Sequence, residues 1–305
     1  MRRWPPVLPT DGTLVLRDAR VPACLVDALP KGAAVDAEGL ARLDIAVDGG
    51  RIGTIAPSLS QSGHRDVALD GNQVWPCFVD MHTHLDKGHI WPRAENPDGT
   101  FDGALEAVLR DRESNWSAAD VAARMDFALR ASYAHGTAAV RTHIDSFPPQ
   151  HAVSWPVFAD MREKWRGRIA LQAATIVMIE RFEGDFGDEL ADMVAAHGGI
   201  LGGVALPAPE LDRRLDRVFA LASARGLDLD FHADETGDPQ AMALRAIAAA
   251  KLRHRFPGKV TVGHCCSLAL QGETEICRTL DLVAQAGLAI VSLPMCNLFL
   301  QDRRA

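Results

Sequence analysis

The chain has 305 residues, of which 48% are hydrophobic and 24% charged, which is the length and composition of a globular protein with a large buried core. Its formal net charge of -8 argues against a nucleic-acid partner, and no run of Lys or Arg suggests binding to an anionic membrane surface. We find no secretory signal, no apolar stretch of about 18 residues that could span a membrane, and no CxxC spacing among the six cysteines, so we expect a cytoplasmic protein.

The N-terminal part of the chain has the pattern of short strands. Between residues 13 and 70, three stretches alternate apolar with polar residues, and none of them shows a helical period. The "DGG" at residues 48–50 lies between two such stretches and is a hairpin signal. We therefore predict that residues 1–70 form the N-terminal half of a small β-sandwich.

From residue 74 the pattern changes to continuous apolar strands separated by amphipathic helices, which is typical of a parallel sheet covered on both faces. The first predicted helix has Ser117 as its N-cap and Gly136 as its stop. Seven strands are predicted, at residues 73–84, 137–146, 168–179, 200–209, 227–235, 259–267 and 288–297. Five helices are predicted, at residues 117–136, 187–199, 210–226, 239–255 and 274–287.

A TIM-like (β/α)8 barrel is the form of this pattern that we expect over residues 71–305, although such a barrel needs eight strands. After the seventh strand only "LFLQDRRA" remains, so we expect the eighth strand to be missing from this chain. Three explanations are open: the chain is a C-terminally truncated fragment, a partner supplies the last segment, or the barrel is misplaced.

Two histidines stand at the end of the first barrel strand. Strand residues two apart point in the same direction, so His82 and His84 face one side at the carboxyl end of that strand. Active sites of (β/α)8 barrels lie at this end, and two imidazoles there can bind one transition metal. The alternative is a pair of hydrogen-bonded histidines in the core.

Other strand ends carry ionisable residues as well. The second strand ends with His143 and Asp145, and the sixth ends with His264. The fifth strand ends with His232, and Glu235 follows three residues later. Because the carboxyl ends of the strands of a barrel meet at one rim, we expect these side chains to converge.

The segments "FVDMHTHLD", "VRTHID", "FHADE", "GH" and "PMCNLFLQDR" together resemble the amidohydrolase superfamily, most of all its cytosine deaminase branch. The resemblance implies a distorted TIM barrel with a small β-sandwich made from both chain ends. It also implies one divalent metal ion, zinc or iron, held by His82, His84 and His232, with an aspartate of the eighth strand as the remaining ligand. In this pattern Glu235 moves protons, and His264 hydrogen-bonds the metal-bound hydroxide or the developing tetrahedral centre.

This chemistry predicts a hydrolytic deaminase in which hydroxide attacks a ring carbon that bears an amino group, as in cytosine or another cyclic amidine. His143, Asp145 and Met178 are the predicted substrate-binding residues. Met178 occupies the place where cytosine deaminases have a glutamine, and a thioether cannot hydrogen-bond a pyrimidine amide edge as an amide does. An N-alkylated triazine or a creatinine-like ring therefore fits equally well.

Two further functions remain to be weighed against this one. A truncated chain that keeps its histidines would be a catalytically impaired metal-binding remnant. An oxidoreductase or binding module on a doubly wound sheet is disfavoured, because no G-x-G-x-x-G follows any predicted strand. The expected partner is a small nitrogen heterocycle, and homo-oligomerisation is left open.

Overall fold

The computed structural model describes residues 12–60, 65–96 and 98–301, and the chain divides after Cys77 into two compact units. Each unit has its own sheet and its own hydrophobic core. In the described part of the chain, no helix is long and apolar enough to cross a bilayer.

The first unit contains one four-stranded sheet. Its strands are β1 (Thr13–Pro22), β2 (Leu40–Asp48), β3 (Arg51–Ala56) and β4 (Arg65–Ala68), in the order β3-β2-β1-β4. The predicted hairpin joins β2 to β3, and Gly49 and Gly50 in its two-residue turn have φ values of 54° and 77°. Positive φ at both positions is what such a turn requires, so the hairpin is confirmed. That this sheet is half of a sandwich stays a prediction.

The second unit alternates strands with helices, as predicted. Its strands are β5 (Phe78–Thr83), β6 (Thr137–Asp145), β7 (Ala170–Ile176), β8 (Leu201–Ala205), β9 (Leu229–Ala233), β10 (Val260–His264) and β11 (Ala289–Val291). Its helices are α1 (Phe101–Asn115), α2 (Ala118–Ala134), α3 (His151–Lys164), α4 (Asp185–Ala196), α5 (Leu211–Arg225), α6 (Ala243–Arg253), α7 (Glu273–Ala286) and α8 (Pro294–Leu300).

The seven strands of this unit are parallel and follow one another in chain order. β5 to β7 form one ladder and β8 to β11 another. The two ladders are joined where the Thr175 amide donates to the Ile200 carbonyl at 3.0 Å and the Ile200 amide donates to the Ala173 carbonyl at 2.9 Å. The predicted parallel α/β architecture is thus confirmed, with β5 and β11 as the edge strands among the described residues.

Several predicted strands extend too far, among them the third and the seventh. The third was predicted to run to residue 179 but ends at Ile176, and Ile179–Phe182 forms a short 3-10 helix instead. The seventh was predicted to run to residue 297, but β11 ends at Val291 and α8 begins at Pro294. Proline suits the first turn of a helix because its fixed φ is helical and its missing N–H would have no partner there.

Close approach of β7 and β8 depends on a glycine. A Cβ at Gly203 would collide with the backbone carbonyl oxygen of Val177, which cannot move without distorting the sheet. We expect Gly203→Ala to reduce stability by about 1–3 kcal/mol, as overpacking does in other cores. The measurement is the midpoint of thermal unfolding. Gly272→Ala is the matched control, since a Cβ at Gly272 meets no atom within 4 Å, and equal midpoints for the two variants would contradict the prediction.

Candidate active site

Five histidines meet at the carboxyl ends of β5, β6, β9 and β10. His82 lies in β5 and His84 just after it, and the period of two residues points both rings the same way. The ring centroid of His82 lies 4.1 Å from that of His143, 4.4 Å from that of His232 and 5.0 Å from that of His264. The parallel strands therefore bring together the predicted ligands and the histidines of β6 and β10.

Four of these residues, His82, His84, His143 and His232, each offer one ligand atom within 4.8 Å of the others, and we call them the histidine cluster. The Nε2 atom of His232 lies 3.0 Å from Nε2 of His82 and 3.4 Å from Nε2 of His84. Tetrahedral zinc with Zn–N bonds of about 2.0–2.1 Å places its ligand nitrogens about 3.4 Å apart. The spacing of these three nitrogens fits a single divalent cation.

Three imidazoles of the cluster, those of His82, His84 and His232, are held neutral by their surroundings. Burial, followed by the nearby His143, lowers the pKa of His82 to about 2. Burial, followed by the charge of Lys87, lowers the pKa of His84 well below its ordinary value, and burial also lowers that of His232. Metal ligation requires neutral imidazole, so the site is ready for a cation without first losing protons.

Hydrogen bonding fixes which nitrogen of His84 is free. Its Nδ1 lies 3.3 Å from the carbonyl oxygen of His143. A carbonyl oxygen only accepts, so Nδ1 carries the proton and Nε2 presents its lone pair to the cluster. Such outer contacts orient the ligating histidines of metal sites.

His143 is fully buried, and its ring contacts the ion pair of Asp230 and Arg141. Its Nε2 lies 3.0 Å from Oδ1 of Asp230, and Arg141 donates to the other oxygen of that carboxylate at 2.9 Å. Nε2 therefore donates to the carboxylate, and Nδ1, which has no hydrogen-bond partner, is left facing the cluster. The structure places this predicted substrate-binding residue among the imidazoles.

Glu235 and His264 lie side by side next to the cluster. Oε1 of Glu235 is 3.2 Å from Nδ1 of His264 and accepts from Nδ2 of Asn297 at 3.1 Å. Burial raises the pKa of Glu235 to about 7, against the opposing effects of the Asn297 hydrogen bond and the charge of Lys87. Burial lowers the pKa of His264 to about 4. A carboxyl that titrates near neutral pH suits a group that both accepts and donates protons.

The other two predicted substrate-binding residues lie further along the strand ends. Asp145 is buried, and Arg112 donates to its two oxygens at 3.1 and 3.2 Å. Its amide donates to the buried carboxylate of Asp86 at 2.7 Å. Met178 lies half-buried beyond β7, at the entrance to the 3-10 helix. Asn297 was not among the predicted residues, although it lies within the quoted segment "PMCNLFLQDR".

A cavity of about 300 Å³ opens beside His264 and Asn297. Cys265, Cys266 and Leu298 contribute to its wall. His264 and Asn297 therefore border a space that can admit a small molecule.

The chain is similar to known proteins of one family. A profile of the amidohydrolase family matches residues 180–305. Pterin deaminase of Rhizobium rhizogenes (strain K84 / ATCC BAA-868) is 51% identical over 302 residues, which are 97% of this chain and 67% of that protein. N-isopropylammelide isopropyl amidohydrolase of Pseudomonas sp. (strain ADP) is 24% identical over 257 residues, which are 82% of this chain and 64% of that protein.

Among solved structures, 5-methylcytosine deaminase from Klebsiella pneumoniae liganded with phosphonocytosine superposes with a TM-score of 0.76. It is 21% identical and is matched over 94% of this chain and 68% of its own, so it shows a shared fold. The present chain thus spans about two thirds of the length of these relatives.

The 51% identity with a pterin deaminase and the family match make the chain a hydrolase that acts on carbon–nitrogen bonds, of the deaminase type. The chain belongs to the amidohydrolase family. The resemblance found in its motifs is confirmed, whereas the predicted truncation and the predicted roles of individual residues stay predictions.

Proposed function

We propose that this chain is a metal-dependent hydrolytic deaminase that removes the amino group from the 2-amino-4-oxo ring of a pterin-like heterocycle. The observation that carries the reaction type is the set of three imidazole nitrogens, 3.0 and 3.4 Å apart, beside a carboxyl whose pKa is about 7. The substrate class is supported by the identity of 51% with a pterin deaminase. Pterin, like cytosine, carries its amino group on a cyclic amidine.

His82, His84 and His232 would hold one divalent ion, zinc or iron. Three neutral imidazoles leave a position open, as catalytic zinc sites do. The cation, when bound, supplies a Lewis acid and lowers the pKa of water from 15.7 to about 7.

Glu235 has the position and the pKa to move the protons of the reaction. It takes one proton from the attacking water and passes it to the ring nitrogen, and it then takes the second proton from the hydroxyl on the ring carbon and passes it to the leaving amino group. The oxygen of water bonds to the ring carbon, the carbon–nitrogen bond to the amino group breaks, and ammonia leaves. The ring carbon keeps the oxygen as a carbonyl.

His264 stays neutral at physiological pH, because burial lowers its pKa to about 4. A neutral ring can hydrogen-bond the reacting oxygen without competing with Glu235 as an acid. His143 and Asp145 are buried, so we propose that they act on the substrate through the groups they contact, His82 and Arg112 respectively. Met178 would contact the ring itself.

The activity should depend on pH through Glu235. The carboxylate is the form that accepts the first proton, and burial raises its pKa to about 7. We therefore expect kcat/KM to rise about tenfold per pH unit below pH 7 and to level off above it. The profile is measured with zinc and again with cobalt. If Glu235 sets the rise in kcat/KM, the apparent pKa of that rise stays the same when cobalt replaces zinc. An apparent pKa that changes with the metal would contradict this assignment.

Ammonia release from a panel of heterocycles tests the proposed function. With one metal ion per chain, we expect release from pterin to exceed release from cytosine, an N-alkyl triazine or creatinine. Preference for the triazine would instead favour a substrate like that of the second relative. Bound metal without turnover of any ring would identify the chain as a metal-binding remnant.

The cytoplasmic location and a homo-oligomer stay predictions.

A further inference from the structure

Glu235 and His264 are the two groups next to the histidine cluster. The side chain of Asn297, in α8, hydrogen-bonds both of them. Its Nδ2 lies 3.1 Å from Oε1 of Glu235 and 3.1 Å from Oε1 of Gln301. Its amide group also lies against Nδ1 of His264, with Oδ1 at 3.3 Å and Nδ2 at 3.1 Å.

The number of available hydrogens decides how these contacts are made. The amide of Asn297 has two hydrogens, and Glu235 Oε1 and Gln301 Oε1 accept both. None remains for His264, so Nδ1 of His264 must itself donate, to Oδ1 of Asn297 at 3.3 Å, while Oε1 of Glu235 lies 3.2 Å from the same nitrogen. The proton of His264 then resides on Nδ1, and its buried Nε2, which has no partner, is a hydrogen-bond acceptor.

We propose that Asn297 is a positioning residue that holds the carboxyl of Glu235 in place and fixes His264 as its Nδ1–H tautomer. The inference rests on the proposed deaminase function, since it assigns a role within that reaction. With Nε2 unprotonated, His264 accepts a hydrogen bond from an O–H or N–H group entering the site. With one oxygen of Glu235 accepting from Asn297 and lying against His264, its other oxygen is available for proton transfer.

Asn297→Asp tests the donor role with almost no change of shape. A carboxylate oxygen would then face Oε1 of Glu235 where Nδ2 now donates, so two acceptors repel each other. We expect kcat to fall about 10- to 100-fold, as for other contacts that orient site residues, while KM and the zinc content stay near those of the unchanged protein. Asn297→Ala removes the contacts without repulsion and should lower kcat less.

Asn115→Asp is the matched control. Nδ2 of Asn115 also donates to a carboxylate, Oδ1 of Asp111 at 2.7 Å, and neither of these two side chains has a role in the proposed reaction. It should leave kcat unchanged. If Asn297 serves only to pack α8, Asn297→Asp will behave like this control, and the proposal fails.

The tautomer of His264 gives a readout that does not depend on turnover. In the zinc-loaded protein labelled with ¹⁵N-histidine, the resonances of His264, assigned with His264→Gln, should show the Nδ1–H form. In Asn297→Ala the ring should shift towards a mixture with the Nε2–H form. An Nε2–H ring in the unchanged protein, or the same tautomer in both proteins, would overturn the proposal. Absence of turnover from the unchanged protein would overturn the deaminase function while leaving this readout intact.

Discussion

Replacement of Glu235 by glutamine is expected to lower kcat about 10²- to 10⁴-fold, the range found when a general acid–base group is removed. Glutamine has nearly the same shape and can still contact Asn297, but it cannot take up or release a proton at neutral pH. Glu235 follows His232 by three residues and lies outside the histidine cluster. The variant should therefore keep one metal ion per chain.

Metal analysis and steady-state kinetics on the same preparation check both parts of this expectation. Glu189→Gln is the control, because that carboxylate is exposed, faces His151 at 3.3 Å and lies on α4. Loss of metal together with activity would show that Glu235 supports the metal site instead of moving protons. Full activity with metal bound would exclude it from the reaction.

The strands and most helices of the second unit could be predicted because their apolar periods are clear. α2 begins after Ser117, whose hydroxyl accepts from the Asp120 amide at 3.3 Å, as the N-cap pattern indicated. α1, α3 and α8 were missed. α3 contains Pro156, and its buried residues include polar His151 and Ser154, so it lacks a simple apolar stripe. Its helical state depends on packing in the barrel.

The meeting of His82, His84 and His232 could be predicted because a parallel sheet brings the carboxyl ends of its strands to one edge. Their order along the chain and the period of two residues sufficed. Asn297 could not be found in this way, because it lies within α8 and not at the carboxyl end of a strand. Its contact with Glu235 depends on the turn after β11 and on the start of α8 at Pro294. The pattern of apolar and polar residues in this segment does not predict that turn.

His232→Ala is expected to remove the metal and with it the activity. The Nε2 atom of His232 is the nitrogen that lies near both His82 and His84, at 3.0 and 3.4 Å, so its loss leaves two donors of the proposed three. Catalytic zinc sites have three protein ligands as a rule. Zinc content should fall from one per chain to a small fraction, and ammonia release should fall to the background of the assay.

Thermal unfolding separates loss of the metal from loss of the fold. A ligand that binds only the folded state stabilises it by about 4 kcal/mol when its free concentration is a thousand times Kd. Zinc should therefore raise the unfolding midpoint of the unchanged protein and of His135→Ala, which alters an exposed histidine at the end of α2. The midpoint of His232→Ala should not respond to zinc and should match that of the unchanged protein in chelator, apart from the cost of the cavity. If His232→Ala still binds zinc with the same stabilisation, the cation lies elsewhere, because the three imidazoles would then not be its ligands.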